Sequence, residues 1–81
     1  MQVRVQFFSQ LKEVAGASEL VCDMVEGATV SDLLRLLYER LPGLRKWDAN
    51  ILIGAGVEFV GRDHQLRADE EIAVMPPVQG G

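Results

Sequence analysis

Several things that chemistry inside a protein usually needs are scarce or missing in this sequence. There is one cysteine, Cys22, so no internal disulfide can form and nothing calls for an oxidising compartment. There is no apolar run of the length of a membrane span or a signal peptide, because Met1-Gln2-Val3-Arg4-Val5 alternates apolar and polar from the start. A cytoplasmic location is therefore expected. Positive charge is short: the formal net charge is −4. That argues against nucleic acid, where neutralising phosphates supplies most of the affinity, and against anionic membranes. Docking onto basic protein grooves is compatible with it. No set of His, Cys and acidic residues has metal-ligand spacing. Gly54-Ala55-Gly56 lacks the lysine and the following helix of a phosphate-binding loop. With 81 residues the chain is one domain that buries about 60–65% of its unfolded surface, which leaves no room for a deep internal active site. No bound cofactor is expected.

What is present is clean patterning. Val3, Val5 and Phe7 alternate with Gln2, Arg4 and Gln6, the mark of a half-buried strand, and Phe8 breaks the alternation by placing an aromatic on the polar side. Ser9 is expected to cap a short helix over residues 10–15, ended by Gly16. Leu20, Cys22 and Met24 alternate again, and the connection of about ten residues lets the two strands pair as a loose hairpin. Thr29, with Asp32 three residues on, reads as a helix start. Val30, Leu33, Leu34, Leu37 and Leu41 form one helical stripe, stopped by Pro42-Gly43. Residues 43–50 read as a loop, 51–53 as a short strand weakened or bent by Gly54 and Gly56, 57–60 as another, and 61–70 as a polar turn region around Leu66. The last strand, 71–75, puts Ile72 and Val74 on one face and Ala73 and Met75 on the other. One helix stripe over a sheet of about four strands makes a two-layer α+β domain.

The tail carries the chemistry. Pro76-Pro77 ends the last strand, since neither residue donates to a ladder, and favours a stiff extended departure. Val78, Gln79, Gly80 and Gly81 follow, the last two with no side chain. Residues 76–81 extend to roughly 20 Å, enough to thread a narrow channel and present a terminal carboxylate to another protein's active site. Activated as an acyl-adenylate, the Gly81 carboxylate can be opened by a sulfur nucleophile to give a thiocarboxylate, a compact sulfur donor. The plain alternative is a frayed chain end without a role.

The run Glu70-Glu71-Ile72-Ala73-Val74-Met75-Pro76-Pro77-Val78-Gln79-Gly80-Gly81 resembles the C-terminal signature of the small subunit of molybdopterin synthase. Phe7-Phe8, Leu11, Glu13 and Gly16 resemble the N-terminal signature of the same family. The Phe-Phe segment favours this branch of the ubiquitin-like sulfur carriers over the thiamine branch. The resemblance implies a β-grasp fold, a mixed sheet of about four to five strands on one main helix with the first and last strands side by side. The domain would cover residues 1–75 and the tail 76–81. Gly81, with Gly80, would be the reacting end, activated by an E1-like adenylating enzyme that uses ATP, and loaded from a sulfur donor protein. The large subunit of molybdopterin synthase would then accept the tail in a heterotetramer, where sulfur passes to cyclic pyranopterin monophosphate. The carrier itself would hold no active site. Gly56 stands near the place where relatives carry an asparagine in a tight turn, and Gln65 where a proline is common; neither departure touches the tail.

Other residues divide between roles. If the first and last strands are neighbours, Phe8 and Met75 form an apolar patch beside the tail's exit, an interface together with Pro76, Pro77, Val78 and Gln79; otherwise segment 10–15 folds back over Phe8. Cys22 reads as core and not as a persulfide site. His64, beside Asp63, reads as a solvated loop residue and Trp47 as a plug at the core edge. Asp69-Glu70-Glu71 is either a solvated turn or a partner for cationic side chains. Three other functions stay open: a carrier for thiamine or another pathway, a modifier joined to lysines by isopeptide bonds, and an interaction domain with an incidental Gly-Gly end.

Overall fold

The computed structural model describes residues 1–77. β1 (Gln2–Phe7) is followed by α1 (Gln10–Ala15), β2 (Glu19–Asp23), α2 (Val30–Arg40), a 3-10 helix (Pro42–Trp47), β3 (Leu52–Ala55), β4 (Glu58–Phe59) and β5 (Glu71–Met75). The five strands form one mixed sheet in the order β2-β1-β5-β3-β4. β1 runs antiparallel to β2 and parallel to β5, so the first and last strands are neighbours, as the resemblance implies.

The alternation read in β1 and β5 sets the layers. Val3, Val5, Ile72 and Val74 are fully buried and Phe7 is 1% exposed. They share one core with Val30, Leu33, Leu34 and Leu37 of α2. Each such side chain removed from water contributes on the order of 1.5–3 kcal/mol, and together they fix which sheet face carries the helix. A one-residue slip in register would turn all of them outward. Cys22 lies in this core, and burial pushes its thiol pKa up, which opposes the thiolate that persulfide chemistry needs.

α2 begins as the Thr29-x-x-Asp32 spacing predicts. The Asp32 carboxylate accepts from the Thr29 N–H at 2.9 Å, and the Asp32 N–H donates to Thr29 Oγ1 at 3.4 Å. The bond from the Thr29 N–H first, and then one that the Thr29 hydroxyl donates to the same carboxylate at 3.2 Å, hold the Asp32 pKa below the usual carboxylate range. The remaining first-turn donors are met by the loop before β5: Val30 N–H donates to the His64 carbonyl and Ser31 N–H to that of Arg62, groups that a helix start otherwise leaves orphaned. α2 stops at Arg40 because Pro42 disfavours helical backbone at the residue before it; Leu41 sits at φ −129° and ψ 73°.

Three expectations need correction here. Residues 43–50 are not simply a loop: Pro42 opens a 3-10 helix that runs to Trp47, with its φ already suited to a first helical position and Leu44 fully buried as its anchor. Ser9 does not cap α1 through its side chain. Its backbone is at φ 52° and ψ −131°, outside the extended region from which a cap hydroxyl reaches back. His64 is not a solvated loop residue, since its side chain is 25% exposed and its Nε2 lies 3.0 Å from Glu70 Oε2. Trp47 does pack on the edge of the core. Gly16 ends α1 in the left-handed region with its N–H on the Lys12 and Glu13 carbonyls.

Candidate functional site

The two strands that end at the site do so in adjacent lanes. Phe7 pairs with Val74 across β1 and β5, and the next N–H, that of Phe8, donates to the Val74 carbonyl at 3.1 Å. This bond fixes Phe8 one step past the strand, beside the level of Met75. Because side chains alternate along a strand, Phe8, Ala73 and Met75 take the face opposite the core. Phe8 remains 40% exposed. α1 turns its buried residues Leu11 and Ala15 inward and leaves Phe8 partly open, so segment 10–15 does not bury it.

Next to β5, β3 places Gly54 opposite Ala73 and Leu52 opposite Met75, and β4 places Phe59 opposite Gly54. The result is a cleft of about 270 Å³ walled by Phe8, Met75, Phe59 and Val57 and floored by Gly54 and Ala73. The floor depends on glycine. A Cβ at Gly54 would stand 3.2 Å from Met75 Cε and 3.6 Å from Ala73 Cβ, so any side chain there fills the cleft or displaces Met75. Gly56, at φ 63°, occupies the left-handed region that the tight β3–β4 turn requires and most residues avoid. That turn lifts Val57 fully into solvent and leaves Phe59 71% exposed. Large apolar groups gathered this way on a small domain make this cleft a candidate contact surface. Among the described residues, Glu58 is the one charged residue lining the cleft.

Of the residues singled out in sequence, Phe8 and Met75 meet at this cleft, and Pro76 and Pro77 lead off from Met75, half-buried. Val78, Gln79, Gly80 and Gly81 lie outside the described residues. Gly54, Val57, Phe59 and Ala73 were not anticipated as site residues. Their signal is faint in sequence, since it needs the pairing of β3 with β5 before the small residues become a floor.

Within the acidic run at the start of β5, Glu70 is the residue whose side chain is held in place. Glu70 accepts from the Arg67 N–H at 2.9 Å through Oε1 and faces His64 through Oε2. The Asp69 N–H donates to the Gln2 carbonyl, and Glu71 lies 4.0 Å from Arg4. Glu70 is thereby tied into its own turn. Among the described residues no cluster of His, Cys, Asp and Glu has the arrangement to hold a metal ion, and no helix is long and apolar enough to cross a membrane.

Comparison with known proteins agrees with this geometry. The molybdopterin synthase sulfur carrier subunit of Chlamydomonas reinhardtii is 30% identical over the whole of both chains. Among solved structures, the putative molybdopterin converting factor subunit 1 of Pyrococcus furiosus matches with a TM-score of 0.88 at 27% identity, over 96% of this chain and 99% of that one. The small archaeal modifier protein SAMP1 of Haloferax volcanii matches with a TM-score of 0.87 at 29% identity over all of both chains. The fold is thus the ubiquitin-like β-grasp. The profile of the ThiS family matches residues 5–81, and the chain belongs to that family.

Proposed function

We propose that this protein is the sulfur-carrying subunit of a molybdopterin synthase, with the Gly81 carboxylate as its reacting group. The observation that supports this most is positional. β5 lies inside the sheet, flanked by β1 and β3, and runs directly into Pro76-Pro77 beside an exposed apolar cleft. A partner that covers the cleft takes hold of the domain at the point where the tail leaves it. Full-length similarity to a molybdopterin synthase sulfur carrier subunit supports the same reading.

On this reading a Gly81 carboxylate oxygen attacks the α-phosphate of ATP held by an E1-like enzyme, and pyrophosphate leaves. A persulfide on a donor protein attacks the acyl carbon of the adenylate and AMP departs, leaving an acyl disulfide, whose sulfur–sulfur bond a thiol reductant then cleaves to free the thiocarboxylate. One carboxylate oxygen is thereby replaced by sulfur. The tail then enters the large subunit, where the thiocarboxylate sulfur attacks a side-chain carbon of the cyclic pyranopterin monophosphate and an oxygen substituent leaves that carbon, as water or as the opened phosphate ester. Hydrolysis of the acyl–sulfur bond returns the carboxylate, and two such transfers build the dithiolene. Glycine leaves the acyl carbon uncrowded for each attack. The domain 1–75 contributes recognition and the tail 76–81 contributes reach, in a cytoplasmic heterotetramer. The carrier needs no cofactor of its own.

Intact-mass analysis tests this directly. After incubation with ATP, the adenylating enzyme and a sulfur source, the chain is expected to show one oxygen exchanged for sulfur at its C-terminus. An unchanged mass, with the enzyme shown to be competent, sinks the proposal. Similarity to SAMP1 favours one second reading, a modifier that forms isopeptide bonds with lysines. It predicts higher-mass conjugates that vanish when Gly81 is deleted.

A further inference from the structure

The helix layer holds a second depression that the carrier reading leaves unused. It measures about 430 Å³ and shares no residue with the cleft. Three guanidinium side chains from three elements surround it: Arg35 from α2, Arg45 from the 3-10 helix and Arg62 from the loop after β4. The wall is built, not incidental. Tyr38 donates to Asp48 Oδ1 at 2.6 Å, and Arg62 Nη1 donates to the same oxygen at 2.8 Å while its second nitrogen reaches the Asp48 carbonyl. Burial, then the bond to Asp48, raises the Tyr38 pKa, which keeps the phenol protonated as the donor.

Charge separates this side from the rest of the chain. Residues 30–48 carry Arg35, Arg40, Arg45 and Lys46 against Asp32, Glu39 and Asp48, a net +1, so the remainder of a chain of net −4 carries −5. Within the groove, Asp48 and Arg62 are committed to each other, which leaves Arg45 and Arg35, the latter only 3.5 Å from Asp32 and with its side chain 71% exposed. Glu39 is the remaining acid lining the site. Cationic side chains carried by separate elements suit carboxylates set along a chain.

We propose that this groove is a second docking surface, which takes an acidic segment of another protein while the cleft and tail on the sheet side are free to engage a different partner. It goes beyond the carrier reading and stands or falls separately from it. Two separate surfaces let a carrier be passed between proteins without full release, since the sheet side can serve only one of them at a time.

The test is an amide NMR titration of the full chain with poly-L-glutamate. Saturable shifts centred on Ser31, Arg35, Tyr38, Arg45 and Arg62 are expected, weakening as salt rises. The double variant R35E/R45E should lower affinity by about tenfold or more, R35K/R45K should keep most of it, and F8D should leave it unchanged. Thermal unfolding of each variant separates loss of the groove from loss of the fold. No shifts, shifts centred elsewhere, or an R35E/R45E titration equal to that of the parent would overturn the proposal. Equal binding of inorganic phosphate alone, or of a single-stranded RNA oligomer, at the same residues would also overturn it.

Discussion

The two faces of β1 and β5 are made by alternate residues of the same strands, yet they do opposite work. Toward α2 stand Val3, Val5, Phe7, Ile72 and Val74, none more than 1% exposed. Away from it stand Arg4, Gln6, Ala73 and Met75, joined by Phe8 just past the strand end. Phe7 and Phe8 are the sharpest case: identical side chains, adjacent in sequence, 1% and 40% exposed. The inner one holds the fold. The outer one lies outside that core, which is why an apolar residue there points to a contact with something else.

Phe7→Ala should break the comparison hardest. Loss of a buried phenylalanine costs about 3–5 kcal/mol, while a domain of 81 residues has roughly 4–12 kcal/mol in total. Urea unfolding is expected to show a variant near the limit of folding, with sulfur loading falling in parallel because the carrier is no longer folded. If loading survives at full rate in a largely unfolded variant, the domain contributes nothing to recognition.

A middle-sized effect is expected at Tyr38, which ties α2 to Asp48. Tyr38→Phe removes one hydrogen bond, about 0.5–1.5 kcal/mol, and changes how stability depends on pH. The Tyr38 pKa is raised in the fold, so its contribution is present below the ordinary tyrosine value of about 10 and is lost as pH rises through the folded value. Asp48 is the opposite case. The bonds from Tyr38, then Arg62, lower its pKa, so its contribution is present above the usual carboxylate range and is lost as pH falls through the folded value. In the variant the alkaline loss should disappear and the acid loss should shrink, since Arg62 still holds the carboxylate. Unfolding curves from pH 3 to 11 check both arms. Thr29→Ala should cost about 1 kcal/mol through the lost cap, with no change at the cleft.

Much of the fold was legible because local and global signals agree. The period of two in β1 and β5, the stripe from Val30 to Leu37 and the Thr29–Asp32 spacing each speak for one element. The tail motif was legible because its chemistry resides in covalent structure, in Pro-Pro and Gly-Gly. What escaped depends on contacts between distant residues. Tyr38, Asp48 and Arg62 are separated by ten and fourteen positions, with no periodicity to link them. His64 meets Glu70 only because the loop folds back over the start of α2. The 3-10 helix was read as a loop because Pro42-Gly43 stops one helix and gives little sign that Leu44 anchors another. Half of the cleft was visible as Phe8 and Met75, while its floor needed the Gly54–Ala73 pairing.

The smallest expected change in stability is at Phe8, and it sharpens the comparison most. Phe8→Asp places a charge where 40% of the residue already meets water, and its backbone bond to Val74 survives substitution. Unfolding free energy should shift by roughly 0.5 kcal/mol or less, the range of surface changes. An apolar wall of the cleft becomes an anion beside Glu58, and desolvating that charge against a partner is costly. Sulfur loading should therefore fall well beyond any change in folding, with the loss appearing as weaker association with the adenylating enzyme and not as slower chemistry once bound. Gly54→Val is the companion test. It fills the cleft from below without adding charge, and Met75 Cε, the neighbour in its way at 3.2 Å, is the far end of a flexible side chain. If both variants load at the parent rate, the cleft is not where the adenylating enzyme takes hold, and recognition rests on the tail alone.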